Sequence, residues 1–134
     1  MYFQPKEIIK IAEKIKNNNV GIFPFDTLLG LTGLATEGVV SRLESIKQRR
    51  NMPYIAIISH LNHLKNLIEP LTNIQADIIR RYWPGPITFI FNKHPRVADY
   101  ITAGKPTIGI RFANFLPLNV LLNQIDSPIL STSA

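Results

Sequence analysis

The sequence predicts a single-domain α/β fold, and three observations carry that expectation. Stretches with helical apolar spacing alternate with short apolar runs of strand length. Prolines and glycines are spread between them as punctuation instead of gathering into a linker, and 134 residues suffice for one core but not two. No internal repeat or low-complexity tract is present, so one domain is expected over residues 1–134.

Each element follows from its local pattern. Pro5 opens a helix whose apolar residues Ile8, Ile9, Ile11, Ala12 and Ile15 recur at helical spacing, and Asn17-Asn18-Asn19 closes it. Val20 to Phe25 is a buried-strand candidate. Val39, Val40, Leu43 and Ile46 mark one face of a second helix ending near Gln48, and Tyr54 to Ile58 reads as the next strand. Leu61, Leu64, Leu67 and Ile68 predict a helix stopped by Pro70; Ile74, Ile78, Ile79 and Tyr82 predict another, stopped by Pro84. After the break at Pro84-Gly85-Pro86, strands are expected at Ile87 to Phe91 and Thr107 to Phe112. A short helix at Leu116 to Leu122 and a last strand at Ile129 to Thr132 complete the chain.

Composition narrows the function classes. An apolar fraction of 46% with 18% charged residues belongs to a chain that folds. Fifteen Lys plus Arg against nine Asp plus Glu give a net charge of +6, which favours polyanionic partners: nucleotides, RNA or an acidic membrane surface. No apolar run approaches the roughly 20 residues that span a bilayer, and the start lacks the apolar stretch of a signal peptide, so no membrane insertion and a cytoplasmic location are expected. Without cysteine, thiolate catalysis and Cys-based zinc sites are excluded. His60 and His63 lie three apart, but no carboxylate accompanies them at ligand spacing, so no protein-held metal is expected.

Four segments carry candidate chemistry. Lys47-Gln48-Arg49-Arg50 places three cations where a helix hands over to a loop, able to face one phosphate chain, although basic residues in a last helical turn also complement the helix dipole. Phe23 to Leu31 leaves a strand and turns through Asp26-Thr27 toward Gly30, at the kind of strand end where α/β sheets place ligands; an Asp-Thr pair is equally a turn device. Trp83 to Phe91 holds two prolines and a glycine before an apolar strand and reads as structural. Arg111 ends the strand Thr107-Ile108-Gly109-Ile110, where a guanidinium can clamp a carboxylate with two hydrogen bonds or form a surface salt bridge.

In this order the segments resemble the YrdC-like family of threonylcarbamoyl-AMP synthases. The family's P-T-[DE]-T-x-Y-G-L is similar to Pro24 to Leu31, its Lys-x-Arg to Lys47 and Arg49, and its W-P-G-P-[VIL]-T-F to Trp83 to Phe89. Its T-x-x-x-R strand is similar to Thr107 to Arg111, and its S-T-S-A-N to Ser131 to Ala134. Phe25 stands where the family usually has a threonine and Leu29 where it usually has an aromatic, while Arg50 and Met52 replace a proline and a polar residue and Pro53 is kept.

The resemblance implies a YrdC-like fold, a twisted open mixed sheet with flanking helices. It implies a nucleotidyltransferase that combines L-threonine, bicarbonate and ATP into threonylcarbamoyl-adenylate and pyrophosphate, with Mg2+ as counter-ion of the phosphates. By this similarity Lys47 and Arg49 are the catalytic cations and bind the nucleotide together with Thr107 and Ser133. Phe25, Thr27, Arg111 and Ser131 enclose the threonine. Transfer proteins that move the threonylcarbamoyl group onto tRNA are the implied partners. A non-catalytic module of the same fold that binds double-stranded RNA or tRNA is the alternative. Since the last motif normally continues with Asn, a domain lacking its C-terminal part is expected, one that folds but binds ATP poorly.

Overall fold

Strands β1 (Gly21–Pro24), β2 (Leu29–Leu34), β3 (Ile55–Ile57), β4 (Thr88–Asn92), β5 (Thr107–Arg111) and β6 (Ile129–Ser133) form one sheet in the order β1-β2-β6-β3-β5-β4. The structure is a computed structural model describing residues 4–25 and 29–133. β3 and β5 run parallel; the pairs β1–β2, β2–β6, β6–β3 and β5–β4 are antiparallel. The sheet is therefore mixed and open, with β1 and β4 at its edges.

Period-two alternation sorts every strand residue onto one of two faces. On one face Leu31, Ala56, Phe91, Ile108, Ile110 and Leu130 form a core under α2 (Glu37–Lys47), a 3-10 helix (Leu61–Asn66), α3 (Asn73–Tyr82) and α4 (Asp99–Thr102). On the other, Phe23, Ile57 and Ile129 meet Ile8, Ala12 and Ile15 of α1 (Pro5–Lys16) and Leu118, Leu121, Leu122 and Ile125 of α5 (Leu116–Ile125). The second cover is partial. Ile55, Thr107 and Gly109 on this face stay half-buried, and Ile90, Asn92 and Ser133 are exposed.

Helix ends obey local chemistry. Pro5 occupies the first turn of α1, where its missing N–H costs nothing, and Gln4 N donates to Glu7 Oε2 at 3.3 Å. Val39 N donates to Thr36 Oγ1 at the start of α2, and Gln48 ends that helix in the left-handed region at φ 54°. At α3 the cap is reciprocal, Gln75 N donating to Thr72 Oγ1 at 3.1 Å and Thr72 N to Gln75 Oε1 at 3.0 Å.

Several expectations change. Leu29–Leu34 is a full inner strand where only a turn through Asp26-Thr27 toward Gly30 is expected, and a Cβ at Gly33 would lie 2.6 Å from Val39 Cγ1, so α2 sits close on the sheet. Leu61–Asn66 winds as a 3-10 helix, α5 runs on to Ile125, and the short α4 had no signal. Ile9, Ile46, Leu61, Ile74, Ile78 and Tyr82, placed on buried faces by spacing, are exposed, and of the four apolar positions expected to pack α3 only Ile79 is buried. The Trp83 segment is structural as read. Trp83 Nε1 donates to Ile87 O at 2.8 Å, its ring meets Phe89 edge-on at 5.2 Å, and Gly85 N donates to Phe112 O at 2.8 Å.

Leu130 is 1% exposed at the middle of β6. Leu130→Ala should lower the unfolding free energy by about 2–5 kcal/mol through lost burial and the cavity left behind, read as a shift in the urea midpoint at unchanged slope. A loss below about 1 kcal/mol would mean that the two core faces do not depend on this strand.

Candidate functional site on the open half of the sheet

Strand register gathers most of the expected site residues. Ser131 pairs with Ile55, and Ile55 with Gly109; Arg111 pairs with Ile57, and Ser133 with Gly30. Partners across a ladder share a face, so Thr107, Arg111, Ser131 and Ser133 all belong to the face that α1 and α5 cover only in part. A cavity of about 160 Å³ opens there, lined by Phe25, Gly30, Ile55, Arg111, Ser131 and Ser133, with Leu29, Ile57 and Thr132 completing it. Its apolar wall comes from Phe25, Leu29, Ile55 and Ile57, and Arg111 supplies the guanidinium. That combination suits a small molecule with one carboxylate.

Lys47 reaches the same end of the sheet from α2. Its Nζ donates to Ser133 O at 2.6 Å, joining two residues that lie 86 positions apart. Lys47, Arg49 and Arg50 do not line one common cavity among the described residues. The left-handed Gln48 turns the chain, and Arg49 and Arg50 enter a separate polar recess with Ser41, Glu44 and Ser45, where Arg49 Nη1 donates to Met52 Sδ at 3.8 Å. Thr107 lies outside the cavity, at the far end of β5 from Arg111. Four residues of strand separate them by about 13 Å, so the two touch different parts of any one ligand. Thr27 and the Asp26-Thr27 turn lie outside the described residues, as does Ala134.

Sequence reasoning missed Gly30, Ile55 and Ile57 as cavity residues. The two-residue spacing of Ile55 and Ile57 was the available signal for a shared face; that it is the ligand-side face follows only from the pairing with Ser131 and Arg111.

His60 and His63 face each other edge-on at 6.0 Å, and, against expectation, a carboxylate does approach: His63 Nε2 lies 3.8 Å from Asp126 Oδ1. No three His, Cys, Asp or Glu converge among the described residues.

The fold and the cavity define a class: α/β domains that present a small, arginine-bearing pocket on the open half of a mixed sheet. The chain belongs to the Sua5/YciO/YrdC family, whose model, described as "Telomere recombination", matches residues 13–134. It is 30% identical to the threonylcarbamoyl-AMP synthase of Klebsiella pneumoniae over 97% of this chain and 71% of that one. To the enzyme of the same name from Bacillus subtilis it is 28% identical over 96% of this chain and 38% of that one. Among solved structures it resembles P. abyssi Sua5 complexed with L-threonine, with a TM-score of 0.92 and 26% identity over 99% of this chain and 40% of that one. E. coli YciO shares the fold at a TM-score of 0.86 and 22% identity, covering 98% of this chain and 65% of that one. The chain thus spans well under half of the longer relatives it matches. No helix among the described residues is long and apolar enough to cross a membrane.

Burial pushes His63 below the ordinary imidazole value of 6.5 and His60 adds to this, against the opposing pull of Asp126. The unfolded chain then binds the proton more readily, so the stability linked to His63 is complete above pH 6.5 and declines as pH falls through the lower folded value. Urea midpoints compared at pH 7.5 and pH 5 should show a smaller acid-side loss in His63→Leu than in the parent chain. Equal losses would remove His63 as the cause.

Proposed function

We propose that this chain is a threonylcarbamoyl-AMP synthase domain, joining L-threonine, bicarbonate and ATP into L-threonylcarbamoyl-adenylate and pyrophosphate for the threonylcarbamoyladenosine modification of tRNA. The observation that carries the proposal is the cavity that unites Arg111, Ser131 and Ser133 on the open face, with Lys47 at its rim. Support comes from the relatives named for this activity and from the threonine complex of P. abyssi Sua5.

The proposed chemistry needs positioned charge more than a strong base. The amine of threonine and bicarbonate give a carbamate with loss of water. A carbamate oxygen then attacks the α-phosphorus, the bond to the β-phosphate breaks, and pyrophosphate leaves with the electron pair. Negative charge builds on phosphate oxygens, where cations held in advance stabilise it most. In this reading Lys47, whose Nζ donates to Ser133 O, and Arg49 of the neighbouring recess supply those cations. Arg111 holds the threonine carboxylate, with Phe25 and Ser131 enclosing the amino acid. Thr107, about 13 Å along β5, meets the nucleotide end.

The net charge of +6 and the recess of Arg49 and Arg50 favour contact with a polyanion, and we take tRNA to be that partner, together with the transfer proteins that use the adenylate. A cytoplasmic location fits substrates of this kind. Salt-sensitive RNA binding without turnover would instead support a non-catalytic module.

Lys47→Ala and Arg49→Ala should each weaken ATP binding by roughly one to two powers of ten, the loss of a charge-assisted hydrogen bond, with little change in melting temperature. Calorimetry showing unchanged ATP affinity in both would reject the nucleotide assignment. Arg111→Lys should lose threonine binding while largely keeping ATP, because an ammonium cannot form the paired hydrogen bonds of a guanidinium. Threonine affinity equal to that of the parent chain would rule out the clamp.

A further inference from the structure

We propose that Phe25 sets the size limit of the amino-acid pocket. The inference rests on the reading above, that this cavity holds an amino acid by its carboxylate. Its own foundation is the pairing of Phe25 with Gly30. The ring of Phe25 lies directly on the bare backbone of Gly30: a Cβ at that position would collide with Phe25 Cε2 and stand 2.6 Å from both Cδ2 and Cζ. Any other residue type at this position would have to displace the ring, so the glycine of β2 is the floor that seats it.

That seat is next to the chemistry. Gly30 pairs with Phe23 on one side and Ser133 on the other, which puts the ring on the ligand face, one strand from the row of Ser131 and Ser133. Phe25 is half-buried and packs against the core that α1 and α5 close, so part of the ring is held by the fold while the rest lines the cavity. A molecule clamped by Arg111 shares what remains, about 160 Å³, with Phe25, Ile55 and Ile57. The wall is aromatic and aliphatic on these sides, and hydroxyls enter it from Ser131 and Ser133. The substrate class that fits is an α-amino acid with a short side chain, threonine among them. Leucine, methionine and aromatic amino acids would need the space that the ring takes.

The test measures amino-acid binding by calorimetry with threonine, valine, leucine and methionine on the parent chain and on Phe25→Ala. The parent should bind threonine at least tenfold more tightly than leucine, and Phe25→Ala should shift that ratio toward leucine by tenfold or more, within the range that a few methylenes are worth in a pocket. Phe25→Leu keeps an apolar filling and should shift the ratio less, which preserves the test if the alanine variant folds poorly. Ring seating has its own readout. Gly30→Ala should lower the melting temperature, and adding Phe25→Ala should recover most of that loss, since the methyl and the ring compete for one space. Threonine binding with an unchanged threonine-to-leucine ratio in both Phe25 variants would overturn the inference and leave the proposed function standing. Absence of binding for every amino acid in the parent chain, with the Gly30 and Phe25 substitutions still coupled, would overturn the amino-acid reading and this inference with it.

Discussion

Strand β6 hydrogen-bonds to β2 on one side and to β3 on the other, and no other pairing in the sheet joins the β1–β2 hairpin to the β3–β5–β4 half. Both cores depend on that bridge, because Leu130 points into one and Ile129 into the other. The hydroxyls of Ser131 and Ser133 are carried by the same five residues. Stability and the shape of the cavity are thus coupled through one strand, because the cavity's two sides, Phe25 with Gly30 and Ile55 with Arg111, are drawn together across β6.

Incomplete cover makes the rest possible. α1 and α5 shield Phe23, Ile57 and Ile129 but stop short of Thr107, Gly109 and Ile90. A sheet face normally buries its apolar side chains against another layer. Here the uncovered part is built from serine, threonine, asparagine and glycine, with Ile55 and Ile90 between them, so exposure costs little and leaves polar atoms free to meet a ligand. Lys47 adds positive charge from the opposite layer, its Nζ meeting Ser133 O at the end of β6.

Elements with strong periodicity or clear punctuation were legible in the sequence: α1 from Pro5 to its asparagines, α2 to Gln48, and the strands after the Pro84-Gly85-Pro86 break. β2 was hidden because glycine lowers strand propensity, and its two inner glycines mark close approaches by Phe25 and Val39 that only the folded chain brings about. The exposed face of α3 was misread for a related reason. Ile74, Ile78, Ile79 and Tyr82 have helical spacing, but spacing does not say which of them meets the core, and tertiary contact buries only Ile79. At the site, residue types were legible and distances were not. A three-residue Lys-x-Arg looks like one cationic centre, but around the left-handed Gln48, Arg49 lines a recess while Lys47 bonds to Ser133 O. Thr107 and Arg111 share a face because four is an even number of residues, yet they stand at opposite ends of the strand.

That parity has a cost in mutational terms. Along β5 and β6 residues of the open face sit beside core residues: Gly109 between Ile108 and Ile110, Ser131 after Leu130. Single replacements at alternate positions can therefore retune the pocket without disturbing the layer behind it. A one-residue insertion or deletion inside either strand does the opposite, inverting the alternation, turning aliphatic side chains toward water and hydroxyls into the core. Changes of residue type are therefore tolerated on this surface more readily than changes of strand length, which the loops outside the ladder can absorb.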